Sequence, residues 1–188
     1  MRKVIFAINI SLDGCCDHTK FNPDKGGMLE YFTALMHDAD VLAYGRKTYE
    51  LMVPYWPDVA KNLTGESDAD NEFAQAFDAV NQTVVFSRSL QAAEGKNTRI
   101  VRTDPVAEIR RLKQEPGGNI SIGGVDVASQ IIAAGLVDEY HFVVHPIIAG
   151  EGARLLKGIN LPEQLQLKLV ESKFFKSGGV ALRYARGC

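Results

Sequence analysis

Apolar and polar positions change rhythm repeatedly along this chain, and each change marks an element. "KVIFAINI" is almost continuously apolar and β-rich, the pattern of a strand buried on both faces. After the turn-rich "DHTKFNPDKGG", Met28, Leu29, Phe32, Leu35 and Met36 return at helical spacing. "DVLAY" predicts a second buried strand, and a short helix from Lys47 must end by Pro54. Residues 53–70 carry no clear period and predict a long irregular connection, of the kind that often covers a site. Phe73, Ala76, Phe77 and Val80 mark a further helix, followed by the strands "TVVFS" and "TRIV". Asp104-Pro105 is a helix start with cap and first-turn proline, and "EPGG" is its stop. "NISI" predicts a strand, and Gly123-Gly124 opens a helix with Val127, Ala128, Ile131 and Ile132 inward, closed by Gly135. "EYHFVVHPII" is another buried strand. "LQLKLVE" and "VALRYA" alternate on either side of "KSGG", predicting an antiparallel pair with one wetter face.

Alternating β and α units that finish in a hairpin predict an α/β fold. It has a mostly parallel central sheet, helices on both faces and a C-terminal antiparallel hairpin. With no repeat, linker or low-complexity stretch, residues 1–188 read as one domain, and 46% hydrophobic content suffices for its core. A net charge of −2 provides no global field for nucleic acid or an anionic membrane, so any phosphate recognition must be local. The basic and apolar N-terminus meets "SLDG" too soon for a signal peptide, and no run approaches the ~20 apolar residues of a membrane span. The expectation is a cytoplasmic protein. Cys15, Cys16 and Cys188 make an odd count and read as reduced thiols. "CCDH", with His18, lacks the four convergent ligands of structural zinc. His141 and His145 share a strand face without a matching carboxylate or cysteine, so packing is expected there and no metal.

In sheets of this kind ligands bind beyond the carboxyl ends of the strands, and three of those ends carry unusual chemistry. Gly45-Arg46-Lys47-Thr48 sets cations and a hydroxyl at a helix mouth, which suits phosphate or serves simply as a cap. Ser87-Arg88-Ser89 places two hydroxyls around an arginine, suited to a terminal phosphate such as the ribose 2′-phosphate of NADP. Gly123-Gly124 lets backbone approach a pyrophosphate, or makes a tight turn. GxGxxG and P-loop patterns are absent. Three phosphate-suited turns together match one extended dinucleotide.

"GRKTYE" after one strand, "FSR" after the next and "IGG" opening a helix resemble the dihydrofolate reductase fold family. "SLDG" and "AAGLVDEYHFVVHPIIAGEGARLL" are closer to its branch containing the reductase domain of the riboflavin-pathway deaminase-reductases. The resemblance covers nearly the whole chain. It implies an NADPH-dependent reductase, usually a homodimer, acting on a pterin-like or pyrimidine-like heterocycle. It implies that Gly45, Arg46 and Thr48 contact phosphate, that Ser87 and Arg88 hold the 2′-phosphate end, and that Gly123 and Gly124 hold the pyrophosphate. A cis peptide between those two glycines is a further implication. The branch typically carries a lysine four residues before the serine of "SLDG". Here Ala7 stands there, and Asn9 follows where a small residue is usual, on the substrate side. No deaminase or zinc-ligand motif precedes the reductase pattern.

Hydride transfer is mainly the cofactor's chemistry, so the protein must align the rings and supply a proton. Glu30 stands near the place of the acid in dihydrofolate reductases, and is otherwise a helical surface glutamate. Asp13 lies where the first strand opens into its loop, and is otherwise a turn aspartate. Tyr55 and Trp56 are placed to stack on a flat substrate or to cover the core edge. The alternative to an enzyme is a nucleotide-binding or redox-sensing protein that keeps the cofactor cleft without efficient catalysis.

Overall fold

The buried runs of the sequence become the middle of one sheet. The computed structural model describes residues 1–17, 19–20, 27–95, 97–161 and 163–187. His18, Cys188 and residues 21–26 of the turn-rich segment lie outside the described residues. The chain order is β1 (Val4–Ser11), α1 (Met28–His37), β2 (Ala39–Gly45), α2 (Arg46–Met52), α3 (Trp56–Asn62), α4 (Asp68–Asp78) and β3 (Gln82–Phe86). Then come β4 (Thr98–Val101), α5 (Pro105–Gln114), β5 (Asn119–Gly123), α6 (Val125–Ala133), β6 (Glu139–His145), β7 (Leu167–Phe174) and β8 (Val180–Arg186). The strands lie in the order β4-β3-β2-β5-β1-β6-β8-β7. Pairing is parallel from β4 through β6 and antiparallel for β6-β8 and β8-β7.

Alternate residues of one strand feed opposite cores. Val41 and Ala43 of β2 pack with α5 and α6 around Ile109, Leu112, Ala128 and Ile131. Leu42 and Tyr44 of the same strand pack on the other side with Met36, Phe73 and Phe77 of α1 and α4. Burial on both faces is why these strands read as continuous apolar runs rather than as alternation. Capping follows the sequence. Asp104 accepts a hydrogen bond from the Val106 N–H at 3.1 Å, and Gly135 (φ 65°) closes α6, its N–H donating to the Ile132 carbonyl and the Leu136 N–H to the Ile131 carbonyl.

Two expectations change. Residues 53–70 are not an irregular cover: α3 occupies their middle, with Pro57 and Asp58 in its first turn and Leu63 ending it in the left-handed region (φ 52°). Only Val59 of α3 is buried, so seven residues left too short an apolar stripe to register as a period. The C-terminal pair is antiparallel as its alternation predicts, but β7 has no well-buried face. It is the sheet edge, half-buried only at Leu167, with Leu169 and Val170 each 51% exposed and Phe174 79% exposed.

Candidate active site

Five neighbouring parallel strands, β4-β3-β2-β5-β1, end on one side of the sheet. With adjacent strands ~4.8 Å apart, their ends span roughly 19 Å. A cleft of about 960 Å³ runs along them and brings together the three predicted turns: Gly45 to Thr48, Ser87 to Ser89, and Gly123-Gly124.

At β2 and β5 the two turns interlock. A Cβ on Gly123 would fall 2.6 Å from the Tyr44 ring, and one on Gly124 would fall 2.8 Å from Thr48 Oγ1. Gly124 also has φ 95°, so glycine is required there by both conformation and space. No described peptide bond is cis, so the 123–124 bond is trans, contrary to what the resemblance implies. Arg46 reaches along α2 to Glu50, with both carboxylate oxygens at 2.9 Å, so its guanidinium is partly engaged before any ligand arrives. Lys47 and Thr48 also face the cleft.

At β3, the Ser87 hydroxyl accepts from the Leu90 N–H at 3.0 Å, fixing the turn, while Arg88 and Ser89 are exposed. The neighbouring β4 end supplies a group the motif reading missed. Arg102 lines the same wall, and its Nη1 donates to the Ser87 carbonyl at 3.3 Å. The available signal was weaker than at Arg88: Arg102 follows a half-buried strand and has a hydroxyl, Thr103, on one side only. This end of the cleft is therefore a surface of hydroxyls and cations, a donor set that fits a polyanion.

The opposite end, around β1, is different in kind. Ala7 and Asn9 form its floor, with Leu29 and Phe32 of α1, Trp56 of α3, and Cys16 and Asp17 from the loop after β1. Ala7, at the position where the resemblance implies lysine, contributes only a methyl group. Trp56 is held edge-on to Phe73 (4.6 Å between centroids) and to Tyr55 (4.9 Å). Burial pushes the Cys16 thiol up to about 11, which leaves it unreactive at neutral pH.

Three predicted site residues stand elsewhere. Glu30 is exposed on α1, because Met28, Leu29, Phe32, Thr33 and Met36 define the inward face and position 30 points away from it. Tyr55 is 49% exposed and does not line the cleft; it backs Trp56 from outside. Asp13 does not line the cleft either. It accepts from Ser11 Oγ (2.6 Å), from the Ala149 and Gly150 N–H groups (2.9 Å each) and from Arg154 (3.3 Å). Those bonds, Ser11 foremost, hold its carboxyl well below the usual range. It ties the loop after β1 to the loop after β6 and is not a proton donor at neutral pH.

The two histidines of β6 are built into the structure. The Tyr31 hydroxyl and His141 Nδ1 share a hydrogen bond (2.6 Å), and Nε2 of His141 stands 3.7 Å from Glu139, too far for a hydrogen bond. Burial lowers the His141 pKa and raises that of Tyr31 to about 12, so both are neutral at physiological pH. His145, fully buried, lies 2.9 Å from Asn9 Oδ1 through its Nε2.

Comparison with known proteins fits this arrangement. The model of the RibD C-terminal domain matches residues 2–181. The chain belongs to the RibD C-terminal domain family. Among curated relatives of this family member, the uncharacterized protein YyaP of Bacillus subtilis (strain 168) is 29% identical over 97% of this chain and 94% of its own. A pyrimidine reductase-like protein from Corynebacterium diphtheriae superposes with a TM-score of 0.66 at 16% identity, covering all of this chain and 92% of that one. A diaminohydroxyphosphoribosylaminopyrimidine deaminase/5-amino-6-(5-phosphoribosylamino)uracil reductase from Thermotoga maritima gives a TM-score of 0.67 at 18% identity. That match covers 99% of this chain but 57% of the Thermotoga protein. At such identities the two structures establish the fold, the dihydrofolate reductase-like sheet. Among the described residues no helix is long and apolar enough to cross a membrane.

Proposed function

We propose that this protein is a reductase that delivers a hydride from NADPH to a flat pyrimidine-like or pterin-like heterocycle. The division of one continuous cleft carries the reading: cations and hydroxyls at the ends of β2, β3 and β4, and at the end of β1 an apolar and aromatic wall that holds no cation and has Asp17 as its one carboxylate among the described residues. Ser87, Arg88, Ser89 and Arg102 would hold the 2′-phosphate, and Lys47, Thr48 and the Gly123-Gly124 backbone the pyrophosphate. When bound, the nicotinamide supplies the hydride. The chain's own part is to enclose and orient the ring. Trp56, Phe32 and Leu29 exclude water from it, and Asn9 offers it a polar contact. The names of the Corynebacterium and Thermotoga proteins support a pyrimidine substrate. With a methyl group at Ala7 in place of a cation, a phosphoribosyl substituent would lose a charge-assisted contact there, so that substrate is expected to be poor.

The test is steady-state oxidation of NADPH with dihydrofolate, simple pterins and the phosphoribosylaminouracil. Turnover of an unphosphorylated heterocycle is expected, with kcat/KM unchanged in Glu30→Gln because Glu30 faces away. Efficient turnover of the phosphoribosyl compound would overturn the substrate assignment, and a loss in Glu30→Gln would restore the acid. One observation favours a second reading, a cofactor-binding protein without efficient catalysis: neither Glu30 nor Asp13 stands in the cleft as an acid. Tight NADPH binding without turnover across the panel would select it.

A further inference from the structure

Asn9 is the polar side chain on the floor of the substrate end, and it is not free to choose which edge it shows. Its Oδ1 lies 2.9 Å from Nε2 of His145, a residue with no exposed surface. An amide oxygen can only accept, so Nε2 carries the proton and donates it. His145 sits on β6, whose register places it opposite Ser11, two residues beyond Asn9 on the adjacent strand β1. Both residues are thus mounted on neighbouring central strands, and the imidazole cannot swing away without opening the core. Among the described residues the Asn9 amide nitrogen makes no hydrogen bond, and it is not sealed off as a buried orphan. Its two N–H groups therefore face the cleft.

We propose that His145 is a positioning residue that fixes the polarity of Asn9. Asn9 then presents donors and selects heterocycles that show an acceptor, a carbonyl oxygen or unprotonated ring nitrogen, at that edge. The inference rests on the reading of this cleft as a heterocycle site beside NADPH. It goes further by naming the edge that is read and the buried group that sets it. Discrimination of this kind is effective because a donor turned toward another donor is left unpaired once water is excluded.

Two probes isolate the effect: a diaminouracil, and tetraaminopyrimidine, which carries amino groups in place of the two carbonyls. Each is titrated against the NADPH-loaded protein by Trp56 fluorescence, and the readout is the ratio of the two Kd values. Wild type should favour the uracil. Asn9→Asp, which turns an acceptor to the cleft, should move the ratio toward the aminopyrimidine by about tenfold or more, the range of one hydrogen bond to a charged group. His145→Leu, which frees the amide to rotate, should bring the ratio toward unity. His145→Gln, whose amide can still donate to Asn9 Oδ1, should restore it in part. A ratio unmoved by Asn9→Asp, or the absence of binding by either probe, overturns the proposal even if NADPH binds normally. Failure of NADPH itself to bind would instead overturn the cofactor reading, and the same titration separates the two. If His145→Leu does not fold, Asn9→Asp and His145→Gln still decide.

Discussion

Replacing Arg88 and Arg102 together by alanine should collapse the preference for NADPH over NADH while leaving NADH binding within about twofold. Both side chains line the wall at the ends of β3 and β4, and both are exposed. A fully formed hydrogen bond to a charged group contributes about 1.5–3 kcal/mol. Exposure argues for the lower figure, since two unit charges at 4 Å interact by only about 1 kcal/mol in bulk water and about 4 kcal/mol near a protein surface. Arg102 has a compensating advantage: its bond to the Ser87 carbonyl holds the guanidinium in place, so less side-chain freedom is lost on binding. Taking about 1.5 kcal/mol each, single variants should lose roughly tenfold in NADPH affinity. The double variant should lose less than the product, because both groups serve one phosphate and are coupled.

The assay is direct, because Trp56 is the single tryptophan of the chain and lines the cleft. Its quenching reports both cofactors in one format. Raising salt from low to about 0.5 M should narrow the wild-type gap between the cofactors, as exposed charges are screened beyond a Debye length of roughly 10 Å at 0.1 M. Equal affinity of wild type for NADPH and NADH, or a ratio unchanged in the double variant, would refute the assignment of this wall to the 2′-phosphate.

Three further outcomes follow from particular contacts. Gly124→Ala should lower Tm by roughly 3–10 °C and weaken NADPH binding, since a Cβ there meets Thr48 Oγ1 at 2.8 Å and the residue keeps φ 95°; an unchanged Tm would mean the turn relaxes freely. Thermal stability should fall as pH drops below about 6.5, because burial lowers the folded-state pKa of His141 and the unfolded chain then binds the proton more readily. His141 is faced by Tyr31, Glu139, Glu171 and Arg183, and His141→Gln should flatten the slope in that window. We also propose that two chains pair through β7, whose exposed Leu169, Val170 and Phe174 leave an apolar edge; sedimentation should give a dimer that Phe174→Lys dissociates, and a wild-type species of 20.6 kDa at micromolar concentration would count against pairing.

What could be read in the sequence was local. Strands buried on both faces announce themselves as apolar runs, and a turn at a strand end carries its own chemistry. Hence "GRKT", "SRS" and "GG" were visible at their strand ends, and a mostly parallel sheet was enough to expect them along one cleft. Glu30 was legible too, in principle: the same helical spacing that picks out Leu29, Phe32 and Met36 turns position 30 away from them. Arg102 was harder to read, because it follows a half-buried strand and has a hydroxyl on one side only.

Asp13 and His145 belong to a different class. Asp13 is committed by backbone donors 136 and 137 residues further along the chain, and nothing in "SLDG" reveals them. His145 is likewise 136 residues from Asn9, and in the sequence it looks like one of a pair of packing histidines. The register of β1 on β6 brings both contacts about, and register is set by the whole sheet rather than by any motif. The cationic end of the cleft draws most of its side chains from short turns at strand ends, with Arg102 steadied by the Ser87 carbonyl of the neighbouring strand end. The apolar end holds Asn9 in an orientation imposed by a partner on another strand. That difference is why the anionic ligand could be inferred from short motifs, whereas the edge of the heterocycle could be inferred only after Asn9 and His145 were seen side by side.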